Sequence, residues 1–139
     1  MTVYLADSSI WGWANGGRRP DIAARLASRS ERDEIATCIP VALESLHRAR
    51  TGAKYETLAE ELEPIRWLQT DHAALTRAIE VQRSLAHLGH GYHRRSAIDF
   101  MIAATAELAG TGVTLWAFDR DMRVICEHTG QPCELEQAI

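Results

Sequence analysis

Five acids in this chain stand where chemistry is possible. Asp7 follows Val3-Tyr4-Leu5-Ala6, and Glu44 sits within Ile39-Pro40-Val41-Ala42-Leu43-Glu44. Asp99 lies inside Ser96-Ala97-Ile98-Asp99-Phe100-Met101-Ile102-Ala103-Ala104, and Asp119, with Asp121 two residues on, closes Val113-Thr114-Leu115-Trp116-Ala117-Phe118. Carboxylates avoid apolar surroundings unless a cation or a hydrogen-bond donor holds them there. Several of them converging on one spot repel one another, and a divalent metal with oxygen ligands relieves the repulsion. A Mg²⁺ or Mn²⁺ ion so held lowers the pKa of an attacking water and stabilises charge on a phosphate, which is the chemistry of phosphodiester hydrolysis.

Other chemistries have less support. There is no G-x-S-x-G nucleophile elbow, no G-x-x-x-x-G-K-[ST] phosphate loop and no evident Ser-His-Asp or Cys-His set. His87, His90 and His93 recur at three-residue steps, but they straddle Gly89 and Gly91 and have no Cys partner, so a zinc site is disfavoured. Each acid also has a structural alternative. Asp7 suits a helix cap or a turn, and Glu44 lies beside His47 and Arg48 at the margin of an apolar stripe. Asp99 stands three residues after Ser96, the spacing of a capping box. One of Asp119 and Asp121 suits the cap of the last helix while the other faces a metal; Asp119, ending the strand, takes the larger share. Ser9 fits either a cap or a group orienting an acid. Their joint occurrence at strand and helix ends favours the metal.

The elements that must position these residues follow from periodicity. Apolar runs at 3–6 and 35–39 read as buried strands, Ile65–Leu68 as a third strand, 113–118 as the clearest strand and Cys133–Leu135 as an edge strand. Helical patterns cover Asp21–Ala27, about 40–50 with Gly52 as its stop, and Tyr55–Leu62 up to Pro64. An Asp71-capped helix runs to about Leu88 with Leu75, Ile79 and Leu85 inward, and further helices cover Ser96–Ala109 and about 121–128. Strands alternating with helices predict an α/β domain over residues 1–139, with a central parallel β-sheet flanked by helices on both faces. In such sheets ligands bind beyond the carboxyl ends of the strands, where Asp7 and Asp119 fall.

The bulk numbers bound the reading. The 139 residues suffice for one domain with a real core. A net charge of −4 excludes a generally basic nucleic-acid binder but leaves room for a local rim of Arg48, Arg50, Arg94 and Arg95, the last two preceding the Asp99 helix. Trp11 and Trp13 suit core packing or a partner interface ahead of base stacking. Three cysteines without metal spacing point to a reducing compartment, with Cys38 a small buried hydrophobe. Asp7 interrupts the N-terminal apolar stretch, and no run reaches transmembrane length, so the expectation is a soluble, cytoplasmic protein with no membrane partner.

In order and spacing, Leu5-Ala6-Asp7-Ser8-Ser9, Pro40-Val41-Ala42-Leu43-Glu44, the Ser96–Ala106 segment and Phe118-Asp119-Arg120-Asp121-Met122 resemble a PIN-domain ribonuclease, specifically the VapC-type toxin of a toxin–antitoxin pair. The Ile98-Asp99 to Ala103-Ala104 stretch is the most specific part. The resemblance implies a Mg²⁺- or Mn²⁺-dependent RNA endonuclease. Asp7, Glu44, Asp99 and Asp119 would be its acidic quartet, Asp121 an auxiliary ligand and Ser9 the small hydroxyl beside the first acid. Arg94 and Arg95 are candidate substrate contacts. It further implies a homodimer and inhibition by a VapB-type antitoxin. Met122 departs from the family, which often has Phe there; Met fills an apolar gap of similar depth. Two other readings compete: a catalytically silent binding module whose acids cap helices, and a metal-dependent DNA nuclease.

Overall fold

The structure, a computed structural model, describes residues 1–137; within that span the side chains of Asp119 and Asp121 lie outside the description. Its elements in chain order are β1 (Val3–Ala6), α1 (Ser8–Asn15), α2 (Pro20–Glu31), β2 (Ile35–Thr37), α3 (Ile39–His47) and α4 (Gly52–Leu62). They continue with β3 (Arg66–Trp67), α5 (His72–Leu88), α6 (Ala97–Ala109), β4 (Val113–Phe118), α7 (Asp119–Thr129) and β5 (Cys133–Glu136). Every strand pairing is parallel, and the sheet order is β3-β2-β1-β4-β5.

That order is a consequence of short apolar strands joined by helical crossovers. The chain leaves β1 toward β2 and β3, then crosses back to place β4 on the other side of β1. The crevice between the carboxyl ends of β1 and β4 is therefore the point where strand order reverses, the usual ligand position of such sheets. Side chains alternate across the sheet as the pleat requires. Val3, Leu5, Val113, Leu115 and Ala117 join one core with Val41, Leu85, Ile102 and Ile125 from α3, α5, α6 and α7. Ala6, Trp116 and Phe118 face the opposite way and join Ile10, Ile22 and Leu26 from α1 and α2. Helices thus cover both faces, as the sequence predicts.

Two expectations are corrected. Gly52 does not end α3. That helix stops at His47, and Gly52 opens α4, whose first turn is capped by the Thr51 hydroxyl accepting from the Lys54 N–H. Leu75 and Ile79 do not face inward. The buried stripe of α5 is Ala74, Ala78, Val81 and Leu85, because small residues let α5 pack along the alanine-rich α6. The last helix is regular after a break in helical geometry at Arg120 and ends at Thr129, in keeping with the expected 121–128. Cys133–Glu136 does form the edge strand, beside β4. Cys38 is fully buried, and burial pushes its thiol up, in keeping with a small hydrophobe. Met122 is buried in the apolar core. Among the described residues no helix is long and apolar enough to cross a membrane.

Candidate metal centre

Asp7 is delivered by the end of β1. Its backbone N–H donates to the Trp116 carbonyl at 2.8 Å, which fixes it against β4, and its extended backbone makes it the N-cap of α1. One carboxylate oxygen, Oδ2, accepts from the Ser9 N–H at 3.3 Å and the Ser9 hydroxyl at 2.6 Å. The other, Oδ1, is buried and has no hydrogen-bond partner. The cap and the ligand readings of Asp7 are thus compatible, because capping occupies one oxygen and leaves the other without a hydrogen-bond partner. Burial, as the main cause, raises the Asp7 pKa; Ser9 opposes the shift and the Glu44 charge adds to it. An unpartnered, buried carboxylate oxygen is costly without a cation.

Glu44 comes from α3 and Asp99 from the first turn of α6, two helices that pack against each other on the same face of the sheet. Glu44 Oε1 accepts a short hydrogen bond from the Ser8 hydroxyl. The Ser96 side chain makes no capping bond, so that half of the expected capping box is not formed. Ligand oxygens of Asp7, Glu44 and Asp99 all lie within 4.8 Å of one another. Oxygens at that spacing could surround one hard cation with an all-oxygen donor set. Among the described residues this is the only group of three acids, histidines or cysteines so arranged, and the histidines at 87, 90 and 93 do not form one.

The remaining sequence candidates fall as follows. Asp119 follows β4, the strand beside β1, and Asp121 lies in the first turn of α7; their side chains lie outside the described residues. Ser9 bridges Asp7 Oδ2 and the Phe118 N–H, at 2.6 and 3.4 Å. Arg94 and Arg95 lie in the loop before α6, where Arg95 Nε donates to the Tyr92 carbonyl at 2.9 Å. Sequence reasoning missed Ser8. Its neighbour Ser9 takes Asp7, and the helical turn of about 100° per residue aims Ser8 at α3 instead. The only signal was a second hydroxyl beside the first acid.

A parallel α/β sheet with three carboxylates gathered at its rim defines an α/β domain carrying an acidic cluster capable of coordinating a metal ion. The family model of the PIN domain matches residues 4–127, and the chain belongs to that family. Its relatives place it in the VapC ribonuclease-toxin group. Ribonuclease VapC18 of Mycobacterium tuberculosis is 38% identical over 133 residues, covering 95% of this chain and 93% of the relative. Ribonuclease VapC17 of the same organism is 30% identical over 139 residues, covering 99% of this chain and 98% of the relative. The fold matches a DNA-bound VapBC crystal structure from Salmonella typhimurium with a TM-score of 0.76 at 16% identity, over 96% of this chain and 98% of that one. It also matches VapBC2 of Rickettsia felis bound to a promoter DNA fragment, with a TM-score of 0.75 at 14% identity, over 97% and 99%.

Proposed function

We propose that this protein is a Mg²⁺- or Mn²⁺-dependent endoribonuclease, the toxin of a type II toxin–antitoxin pair. The observation that carries the proposal is the convergence of Asp7, Glu44 and Asp99 within 4.8 Å, with Asp7 Oδ1 buried and unpartnered. In this reading Asp7, Glu44, Asp99 and Asp119 are the catalytic and metal-holding acids, and Asp121 is an auxiliary ligand. A divalent ion held there supplies a water of lowered pKa and charge stabilisation at the scissile phosphate. The chain's own residues fix the geometry. Ser9 fixes Asp7 through Oδ2 and leaves Oδ1 without a hydrogen-bond partner, and Ser8 holds Glu44. Burial of Asp7 limits competing water, which strengthens its attraction for a cation.

Family membership supports a cognate partner, and solved relatives crystallise as VapBC complexes on DNA. We assign this chain a VapB-type antitoxin. A homodimer is supported by two exposed apolar pairs, Ile39 with Leu43 on α3 and Leu75 with Ile79 on α5. Both helices pack on α6.

The test is incubation of purified protein with total cellular RNA, in Mg²⁺, Mn²⁺ or EDTA, beside Asp99→Asn. Discrete fragments that require metal and vanish in the variant are expected, and single-stranded DNA is expected to survive. Cleavage that persists in EDTA, or in Asp99→Asn, would overturn the assignment.

A further inference from the structure

Arg48 occupies an unusual seat. It follows α3, one helical turn after Glu44, and its Nη1 donates to the backbone carbonyl of Ser8 at 3.1 Å. That same Ser8 holds Glu44 through its hydroxyl, so the guanidinium is tied to the acid cluster through one intermediate residue. The seat exists because residue 12 is glycine. A Cβ there would collide with Arg48 Nη1 and sit 3.3 Å from Cζ. The guanidinium therefore lies on the bare backbone of α1. It is solvent-exposed, and no carboxylate among the described residues lies within ion-pair distance of it.

Arg48 and Gly12 together line two adjoining grooves. One, of about 530 Å³, runs between α1, α3 and α4 and includes Trp11 and the chain's only lysine, Lys54. The other, of about 450 Å³, is lined by Ser9, Gly12, Trp13, Gly16, Arg18 and Arg48. This second groove begins at Ser9, the residue that holds Asp7, and it carries two guanidinium groups, an indole and no carboxylate. The indole is itself braced, stacked on Phe118 with ring centroids 5.2 Å apart and planes 24° from parallel. In a chain of net charge −4, such a groove opening beside an acidic centre is matched to a polyanion with exposed bases.

We propose that this groove takes the single-stranded RNA flanking the scissile phosphate, with Arg48 a positioning residue that grips a neighbouring phosphate and Gly12 the seat that orients it. The proposal rests on the nuclease reading above and adds the path of the strand. A preorganised guanidinium offers a fork to phosphate oxygens at little entropic cost. It acts by gripping the strand beside the acid cluster, which contributes chiefly to affinity.

The experiment measures binding of a fluorescent single-stranded RNA to Asp99→Asn protein across a salt series, and KM and kcat in the active chain. Arg48→Ala is expected to weaken binding about tenfold and to reduce the log–log salt slope by about 0.7, the value of one phosphate contact on a single strand. Gly12→Ala is expected to reproduce the loss with every charge retained. Its methyl displaces only the flexible end of Arg48 and favours the helix, so folding survives. In the active chain the loss falls on KM more than on kcat. Unchanged affinity and salt slope in both variants would overturn the proposal, even if the same variants weakened capture of an acidic peptide. If the parent chain cleaves RNA while Arg48→Ala matches it throughout, only this inference falls. A parent that neither cuts nor binds RNA removes the nuclease reading and this inference with it.

Discussion

The Ser8 hydroxyl donates to Glu44 Oε1, joining the first turn of α1 to the second turn of α3 across the rim of the sheet. This bond restrains a flexible glutamate whose other rotamers would carry its carboxylate away from Asp7. Ser8→Ala is expected to leave the fold intact and to weaken Mn²⁺ binding about tenfold, the usual cost of losing a group that orients a metal ligand. Calorimetric titration of Mn²⁺ into both proteins checks it.

Asp7 gives the pH dependence. Its folded pKa is raised above the ordinary 3.8, chiefly by burial. The stability associated with this group is therefore fully present below 3.8 and is lost as pH rises through the folded value. In EDTA, Asp7→Asn is expected to melt above the wild type at neutral pH, and the difference should vanish in acid. Asparagine keeps the cap of α1. Paired melting curves from acid to neutral pH decide the matter, and a gap that widens toward acid would contradict it.

Metal should restore what Asp7 costs. At a hundredfold excess over its dissociation constant, Mn²⁺ is expected to stabilise the wild type by about 2.7 kcal/mol. Asp99→Asn should gain far less. Chelation should reverse the wild-type gain, and thermal melts with and without EDTA measure both effects.

Arg29 is a structural counterpart to Arg48. Its guanidinium lies over the rings of Tyr4 and Trp116, 3.8 and 4.4 Å from their centroids, and forks onto Glu134 at 2.7 and 3.1 Å. It ties α2 to β1, β4 and β5 on the face away from the α3–α6 pair. Arg29→Lys keeps the charge but loses both the planar stacking and the fork. A loss of about 1–2 kcal/mol in urea unfolding is expected, with RNA cleavage retained.

The exposed apolar pairs make the proposed homodimer testable. Leu43 is 60% exposed and Ile79 is 55% exposed on helices that flank α6. Leu43→Asp and Ile79→Asp are expected to yield monomers by light scattering without changing the melting cooperativity of the fold. A mass unchanged from a wild-type dimer would move the interface elsewhere.

Much of this was legible before any coordinates. Val3–Ala6 and Val113–Phe118 read as buried strands because a parallel sheet covered on both faces needs continuous apolar runs. Asp71 read as a cap, and its side chain does accept from the Ala74 N–H at 3.0 Å. The inner face of α5 is not legible from the sequence, because side-chain size does not mark burial there. Against the alanine-rich α6, the alanines of α5 pack inward and the larger Leu75 and Ile79 turn out. The place of Gly52 is ambiguous in sequence because a glycine between two helical patterns fits the end of one as well as the start of the next, and only the Thr51 cap decides.

The sequence by itself determined the alternation of strand and helix, the oxygen character of the donor set and the family. These depend on residue type and local spacing, which the chain carries without folding. Tertiary structure alone decided that Asp7, Glu44 and Asp99 meet, that Ser8 rather than Ser9 holds Glu44, and that Arg48 rests on Gly12. Those facts depend on how far each helix is rotated and how closely it approaches its neighbour. Those angles and distances are set by packing between residues far apart in sequence, so no local pattern encodes them.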